Sequence, residues 1–203
     1  SFSPYVSAYS DNYNGKNSYL FNSGADVKYG INESFTLDMM MIPDFGQTRS
    51  DDKVLNLSPF EVLYDEQRTF FTEGTELFNR ADIFYSRRVG GTPSGYESVY
   101  GQTNSTEEVI KNPPAAQLYN ATKISGRTKD LLGIGFFNAT SAPAYAVVRD
   151  TGTGAERNIL TQPLTNYNVT VFDQSLRNNS FISIINTNIM REGSSADANV
   201  TGT

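Results

Sequence analysis

Between Tyr19 and Ile31 the odd positions read Tyr19, Phe21, Ser23, Ala25, Val27, Tyr29 and Ile31, and the even ones Leu20, Asn22, Gly24, Asp26, Lys28 and Gly30. Successive side chains of a strand point to opposite faces, so this period of two predicts a strand with one apolar and one polar face. A helix would scramble the two sets. After a turn at 30 to 34 the pattern resumes with Phe35, Leu37, Met39 and Met41 against Thr36 and Asp38, which predicts a hairpin partner. Phe2, Pro4, Val6 and Ala8 alternate with Ser3, Tyr5 and Ser7 and lead into a turn at 11 to 17. Farther along, Lys123, Ser125, Arg127 and Lys129 alternate with Thr122, Ile124, Gly126 and Thr128, then Leu132, Ile134 and Phe136 with Gly133 and Gly135. Thr165, Tyr167, Val169 and Val171 alternate with Asn166, Asn168 and Thr170, and Phe181 to Ile189 continue after a turn at 174 to 179. Weaker strands are expected at Val54 to Leu57, Glu61 to Tyr64, Ala81 to Val89 and Tyr145 to Arg149. The fold class is therefore all-β, an antiparallel meander of about 8–10 strands in a single segment spanning 1–203. A long polar loop is expected at about 90–115, where Pro113 and Pro114 exclude a central strand.

Composition narrows the setting. Only 38% of residues are hydrophobic and the mean hydropathy is −0.41, yet the chain holds 12 Tyr and 13 Phe, with no Trp, Cys or His. Aromatic and β-branched residues recur along nearly the whole length, which disordered chains lack. No apolar run approaches the roughly 20 residues of a membrane helix. The absence of Cys removes disulfides, thiol catalysis and thiolate metal sites. A net charge of −6 argues against nucleic acid, whose affinity comes from clustered Lys and Arg.

Alternation alone suits a β-sandwich as well as a barrel. Three features favour a partial transmembrane β-barrel. Charges stand at strand centres on the polar side, namely Asp26, Lys28, Asp38, Lys123, Arg127 and Lys129, as a wet lumen allows. Aromatic residues stand near strand ends, at Tyr9, Tyr19, Tyr29, Phe35 and Phe45, where an aromatic girdle would lie. The strands follow in hairpins and not at Greek-key intervals. The segment reads as a fragment of a larger barrel, because an open edge in a bilayer leaves backbone groups unsatisfied.

Certain blocks also carry a likeness. Ser3-Pro4-Tyr5-Val6-Ser7, Asp26-Val27-Lys28-Tyr29-Gly30-Ile31, Thr36-Leu37-Asp38 and Pro43-Asp44-Phe45-Gly46-Gln47 are followed in order by Asn56-Leu57-Ser58-Pro59-Phe60-Glu61, Phe70-Phe71-Thr72-Glu73-Gly74 and Phe84-Tyr85-Ser86-Arg87-Arg88-Val89-Gly90. This series resembles a family of outer-membrane β-barrel proteins of unknown function, typical of Bacteroidetes, whose barrel follows an N-terminal carbohydrate-binding module of the family-nine type. Thr69 departs from the pattern, where the family more often has proline. The resemblance implies an outer-membrane barrel and no catalytic motif.

Candidate chemistry is sparse. Asp44, Asp51 and Asp52 with Asn56 are oxygen donors of the kind Ca²⁺ takes, without the spacing of a calcium loop, and a solvated acidic loop is the plainer reading. Glu61, Asp65, Glu66, Glu73 and Glu76 include carboxylates that a glycosidase would need in a pair, yet they read first as turn residues. Arg68, Arg87, Arg88, Lys123, Arg127 and Lys129 form either a basic strip that sets solute preference or one side of internal charge pairs. Sequons occur at Asn32, Asn56, Asn104, Asn120, Asn138, Asn168, Asn178 and Asn199, several inside expected strands. No phosphate loop or nucleophile elbow is present, and no cofactor is expected. The expected partners are outer-membrane lipid and a glycan or small solute. The expected role is a non-catalytic outer-membrane segment that passes or receives a solute. The alternatives are the membrane anchor of a carbohydrate-binding or glycoside-hydrolysing surface protein, and a soluble β-sandwich adhesin.

Overall fold

The computed structural model describes residues 1–13, 16–44, 63–178, 180–193 and 196–203, with the side chains of 11–13, 16–18 and 20 left aside. Among the described residues eleven strands form: β1 (Phe2–Tyr13), β2 (Lys16–Gly30), β3 (Phe35–Met41), β4 (Glu107–Lys111), β5 (Leu118–Arg127), β6 (Leu132–Ser141), β7 (Ala144–Asp150), β8 (Glu156–Gln162), β9 (Thr165–Ser175), β10 (Phe181–Arg191) and β11 (Ala198–Gly202). Eight of them build one sheet in the order β1-β2-β3-β5-β6-β9-β10-β11, and the other three build a second in the order β4-β7-β8. Every pairing is antiparallel. The all-β expectation holds. The meander is interrupted twice, between β3 and β5 and between β6 and β9, and the large sheet is open, with β1 and β11 as its edges.

The register fixes which side chains share a face. Asp26 stands opposite Met40, Lys28 opposite Asp38, Asp38 opposite Lys123, Lys123 opposite Phe137, Phe137 opposite Val169, and Val171 opposite Ile185. This inner face is covered by the segment 64–90, which has a short helix α1 (Thr69–Thr72) and 3-10 turns at Arg80–Asp82 and Ser86–Arg88. Phe71, Leu77, Phe78 and Val89 from that segment pack against Leu118, Ala121, Phe137, Ala139, Tyr167, Val169, Val171 and Ile185. Phe137 is the hub, with the rings of Phe70, Phe71, Phe78 and Phe84 at 5.2 to 6.5 Å.

Two glycines make the docking possible. A Cβ on Gly133 would meet Leu77 at 2.7 Å, and one on Gly135 would meet the Phe78 ring at 3.1 Å, so β6 offers a notch into which both side chains press. The alternation of Gly133 and Gly135 with Leu132, Ile134 and Phe136 thus marks a groove for another segment and not a polar face.

Several expectations are corrected here. Ala81 to Val89 is not a strand: Ala81 and Asp82 have φ of 57° and 50°, and Ile83, Phe84 and Val89 reach the sheet from irregular turns. The polar stretch 90–115 is not one long loop, since it contains a 3-10 turn (Glu97–Gly101) and β4. Val99 from that turn and Val109 from β4 join Ala146, Val148 and Ile159 in a second small core. Leu63 and Tyr64 lie outside any strand, and Val54 to Leu57 and residues 61 to 62 lie outside the described residues.

The two ends of the large sheet differ. The connections at 31–34, 128–131 and 176–180 gather at one end, where Gly30, Phe35, Arg127, Leu132, Ser175 and Phe181 are neighbours through their partners. The connections 42–117 and 142–164, which carry the covering segment and the small sheet, both leave from the other end.

The outer face carries the alternate positions. Near the short-turn end it is apolar on every strand from β2 to β10, with Tyr29, Leu37, Ile124, Phe136, Phe172 and Ile184 in or beside one cross-strand row. On β2 the apolar positions run the length of the strand, to Phe21 and Tyr19. On β5, β6, β9 and β10 they give way to Thr122, Asn138, Asn168 and Asn188, which are direct cross-strand partners, with Met190 the one exposed apolar residue beyond them on β10. Asn138 Nδ2 donates to Asn168 Oδ1 at 2.8 Å, and Asn166 Nδ2 to Thr140 Oγ1 at 2.9 Å. The sequon residues Asn120, Asn138, Asn168 and Asn199 therefore sit in strands, as expected of Asn168.

Candidate functional site

Alternation puts five of the expected charged residues, Asp26, Lys28, Asp38, Lys123 and Arg127, on the inner face. There Lys28, Lys123 and Arg127 find partners on the covering segment, Asp38 pairs with the two lysines, and the buried Asp26 Oδ1 has no hydrogen-bond partner among the described residues. Lys123, 3% exposed at its side chain, lies 3.7 Å from Asp38 and donates to the carbonyl oxygens of Phe70 (2.8 Å) and Glu73. Its ammonium also sits 4.6 Å from the centre of the Phe70 ring. Lys28 reaches Glu73 at 3.1 Å and Asp38 at 4.0 Å. A second knot centres on Asp173, which is fully buried and meets Arg127 at 2.6 Å and Arg80 at 3.0 Å. Arg127 also holds Glu76 at 2.8 Å. The Arg80 Nε and Asp173 Oδ1 atoms are in ion-pair contact without hydrogen-bond alignment, so the shorter Arg127 contact is the better-formed half of this knot.

For Lys123 and Arg127 these contacts are internal charge pairs. Lys123 and Arg127 latch the covering segment to the wall. Arg68 is a clamp within that segment, 2.7 Å from Glu66, bonded to the carbonyls of Val89 and Ser86, and stacked 4.1 Å over the Phe71 ring. Burial pushes the Glu66 carboxyl up, but the bonds from Arg68 and Ser86 more than reverse this and leave it below the usual carboxylate value. Lys129 does not join the group, because it lies exposed in the turn at 128–131. Glu66, Glu73 and Glu76 are each committed to a cation, which leaves the glycosidase pair without support from them. Asp173 and Arg80 were missed by the sequence reading, since an Asp amid Tyr167, Val169 and Val171 gives no local sign of its partners.

Asp44 accepts hydrogen bonds from the hydroxyls of Ser7 and of Tyr9, the latter at 2.6 Å. Tyr9 thus faces inward and is no part of an outward aromatic girdle, whereas Tyr19 and Tyr29 are exposed on the outer face. Asp51, Asp52, Asn56, Glu61 and Phe45 lie outside the described residues, and among the described residues no group of three metal-ligating side chains gathers.

A cavity of ≈ 840 Å³ opens at the end of the large sheet that carries the long connections. Tyr167, Ile189, Arg191, Gln162 and Leu118 form its wall on the sheet side. Tyr64, Tyr85, Arg87 and Arg88 face them from the covering segment. Arg87 and Arg88 place their guanidinium groups 5.8 and 5.7 Å from the ring centres of Tyr64 and Tyr85. Gln162 Nε2 donates to the buried Ser141 Oγ at 2.8 Å, which fixes the carboxamide at the cavity floor.

The small sheet has its own electrostatics. Arg157 meets Glu107 at 2.7 Å and holds the carboxyl down to about 2, while bonds from Thr106 and from the Thr153 and Gly152 amides hold Asp150 down to about 2. Both carboxyls have folded-state values below their unfolded ones, so their stabilisation is full above pH ~4.5 and is lost as the pH falls toward ~2. Hydrogen exchange of the β4, β7 and β8 amides is expected to accelerate over that interval, and Glu107→Gln should remove the Glu107 part of the effect.

A family model described as a domain of unknown function, DUF5916, matches residues 1–203. No curated protein and no solved structure matches the chain.

Proposed function

We propose, for a chain that belongs to the DUF5916 family over its whole length, that the large sheet is the wall of an outer-membrane β-barrel whose interior is filled by residues 64–90. The observation that carries this reading is the two-sided chemistry of the sheet. The inner face holds charges, of which Lys28, Lys123 and Arg127 are latched to the covering segment, and the outer face exposes Phe2, Phe21, Phe136, Phe172, Ile182 and Ile184, which are 42 to 74% exposed. A soluble monomer rarely leaves so large a contiguous apolar patch in water. A bilayer would cover it.

The outline of that patch supports the same reading. Its upper border descends from β2 toward β10, as a level slab edge does across strands tilted against it. The Asn and Thr side chains above the border bond to one another and would stand clear of the hydrocarbon. The distribution of connections fits as well, in the manner of periplasmic turns and external loops: the three at one end are all short, and both long ones leave from the other, which also carries the short connection between β10 and β11. In a bilayer the edges β1 and β11 must both find partners, because unpaired backbone groups there cost several kcal/mol each. The resemblance to barrels that follow a carbohydrate-binding module agrees with a role in receiving or passing a solute at the surface.

Fractionation of the full-length protein tests the proposal. It is expected in the outer membrane, migrating faster on a gel when unheated than when boiled. A soluble monomeric product would overturn the reading.

A further inference from the structure

We infer that the cavity beside Arg191 binds a small hydroxylated organic carboxylate. The inference rests on the barrel reading only for the side from which the ligand arrives, the end that carries the long connections.

Among the described residues, charge matching over the inner face leaves Asp26 and Arg191 outside the ion pairs, and of the two Arg191 is the cation and lines the cavity. Lys28 and Lys123 share Asp38, Arg80 and Arg127 share Asp173, and Arg68 has Glu66. Arg191 stands apart from this scheme. Among the described residues no carboxylate reaches its guanidinium, whose Nη1 donates to the carbonyl oxygen of Ala196. The nearby Asp197 turns its Oδ1 to the backbone N–H of Arg191 at 2.7 Å. Asp44, the carboxylate in the described lining, is engaged by Ser7 and Tyr9 across the cavity mouth. A guanidinium at a strand end, half-buried and facing a cavity, suits a planar oxyanion, which it can meet with two parallel hydrogen bonds.

The rest of the lining selects the body of the ligand. The volume suits a small molecule and leaves no room for a folded partner. Tyr64 and Tyr85 offer ring faces, while Gln162 and Tyr167 bring polar side chains to the opposite wall. A carboxylate on a hydroxylated ring would meet a partner on each side.

The test uses the full chain in detergent micelles, with saturation-transfer NMR and calorimetry. Glucuronate is the probe, glucose the neutral match, and inorganic phosphate the competing oxyanion. Glucuronate is expected to bind, and glucose not to bind at the same concentration. Arg191→Gln should weaken glucuronate by about tenfold or more, and Arg191→Lys, which keeps the charge without the fork, by less. Equal binding of glucuronate and glucose, no binding of either, displacement of glucuronate by equimolar phosphate, or an unchanged affinity in Arg191→Gln would each overturn the site. Where Arg191→Gln does not fold, the glucuronate and glucose comparison on the unaltered chain decides. Heat-modifiable migration is read on the same samples. Lost binding with normal migration refutes the site alone, and lost migration refutes the barrel.

Discussion

Replacing Asp173 with alanine is expected to cost about 3–5 kcal/mol of stability, the range for removing one partner of a buried ion pair. The carboxylate is fully buried, and its loss would leave Arg80 and Arg127 without their common acceptor. Both arginines keep roughly a quarter of their side chains in solvent and Arg127 retains Glu76, so the lower part of the range is the expected one. Asp173→Asn keeps the shape and should cost less, because an amide oxygen still accepts from Arg127. The readout is the urea midpoint in detergent. The physical origin also predicts where the damage falls: the segment 64–90 should loosen first, because the knot joins it to β5 and β9. Protease cleavage confined to 64–90 would show this, and a midpoint unchanged by Asp173→Ala would refute the latch.

Phe137→Ala is the second large effect, about 3–5 kcal/mol as for other buried aromatic truncations. Phe137 is 2% exposed and touches four other rings, so its removal opens a cavity that the rigid sheet on one side cannot close. Phe137→Leu fills part of that space and should recover more than half of the loss. A comparable loss from Phe136→Ala, one residue away and pointing outward, would contradict the facing assigned to β6. In the proposed barrel that side chain meets lipid and not packed protein, so its truncation should cost little.

Much of the large sheet was legible because its faces differ in chemistry. Tyr19 to Ile31 and Phe35 to Met41 alternate cleanly, and the observed register follows from them. The charged positions Asp26, Lys28, Asp38, Lys123 and Arg127 were legible for the same reason, since parity alone places them together. What parity cannot supply is the partner. Phe70, Phe71, Leu77, Phe78, Ile83 and Phe84 follow no strand or helix period, because they reach the sheet from a four-residue helix and from turns, and the segment therefore read in part as a weak strand. The short strands were obscured by their positions. Glu107–Lys111 and Glu156–Gln162 flank β7 as the two edges of their sheet, and charged residues on edge strands guard against unwanted pairing while erasing the alternation. Arg191 fell just past the expected strand, which ended at Ile189, with nothing in its neighbourhood to set it apart. Its lack of a carboxylate partner is visible only in three dimensions.

The chain has no cysteine, so a single introduced thiol reports one site and no other. The most direct test of the membrane wall places a bimane label at Phe21, Phe172 and Ile184 on the outer stripe, at Asn168 and Asn188 above it, and compares quenching by brominated lipid tails with quenching by aqueous iodide. The account predicts strong lipid quenching at Phe21, Phe172 and Ile184, with iodide effective only at Asn168 and Asn188. Iodide quenching of equal strength at all five positions, with no effect of the brominated lipid, would contradict it.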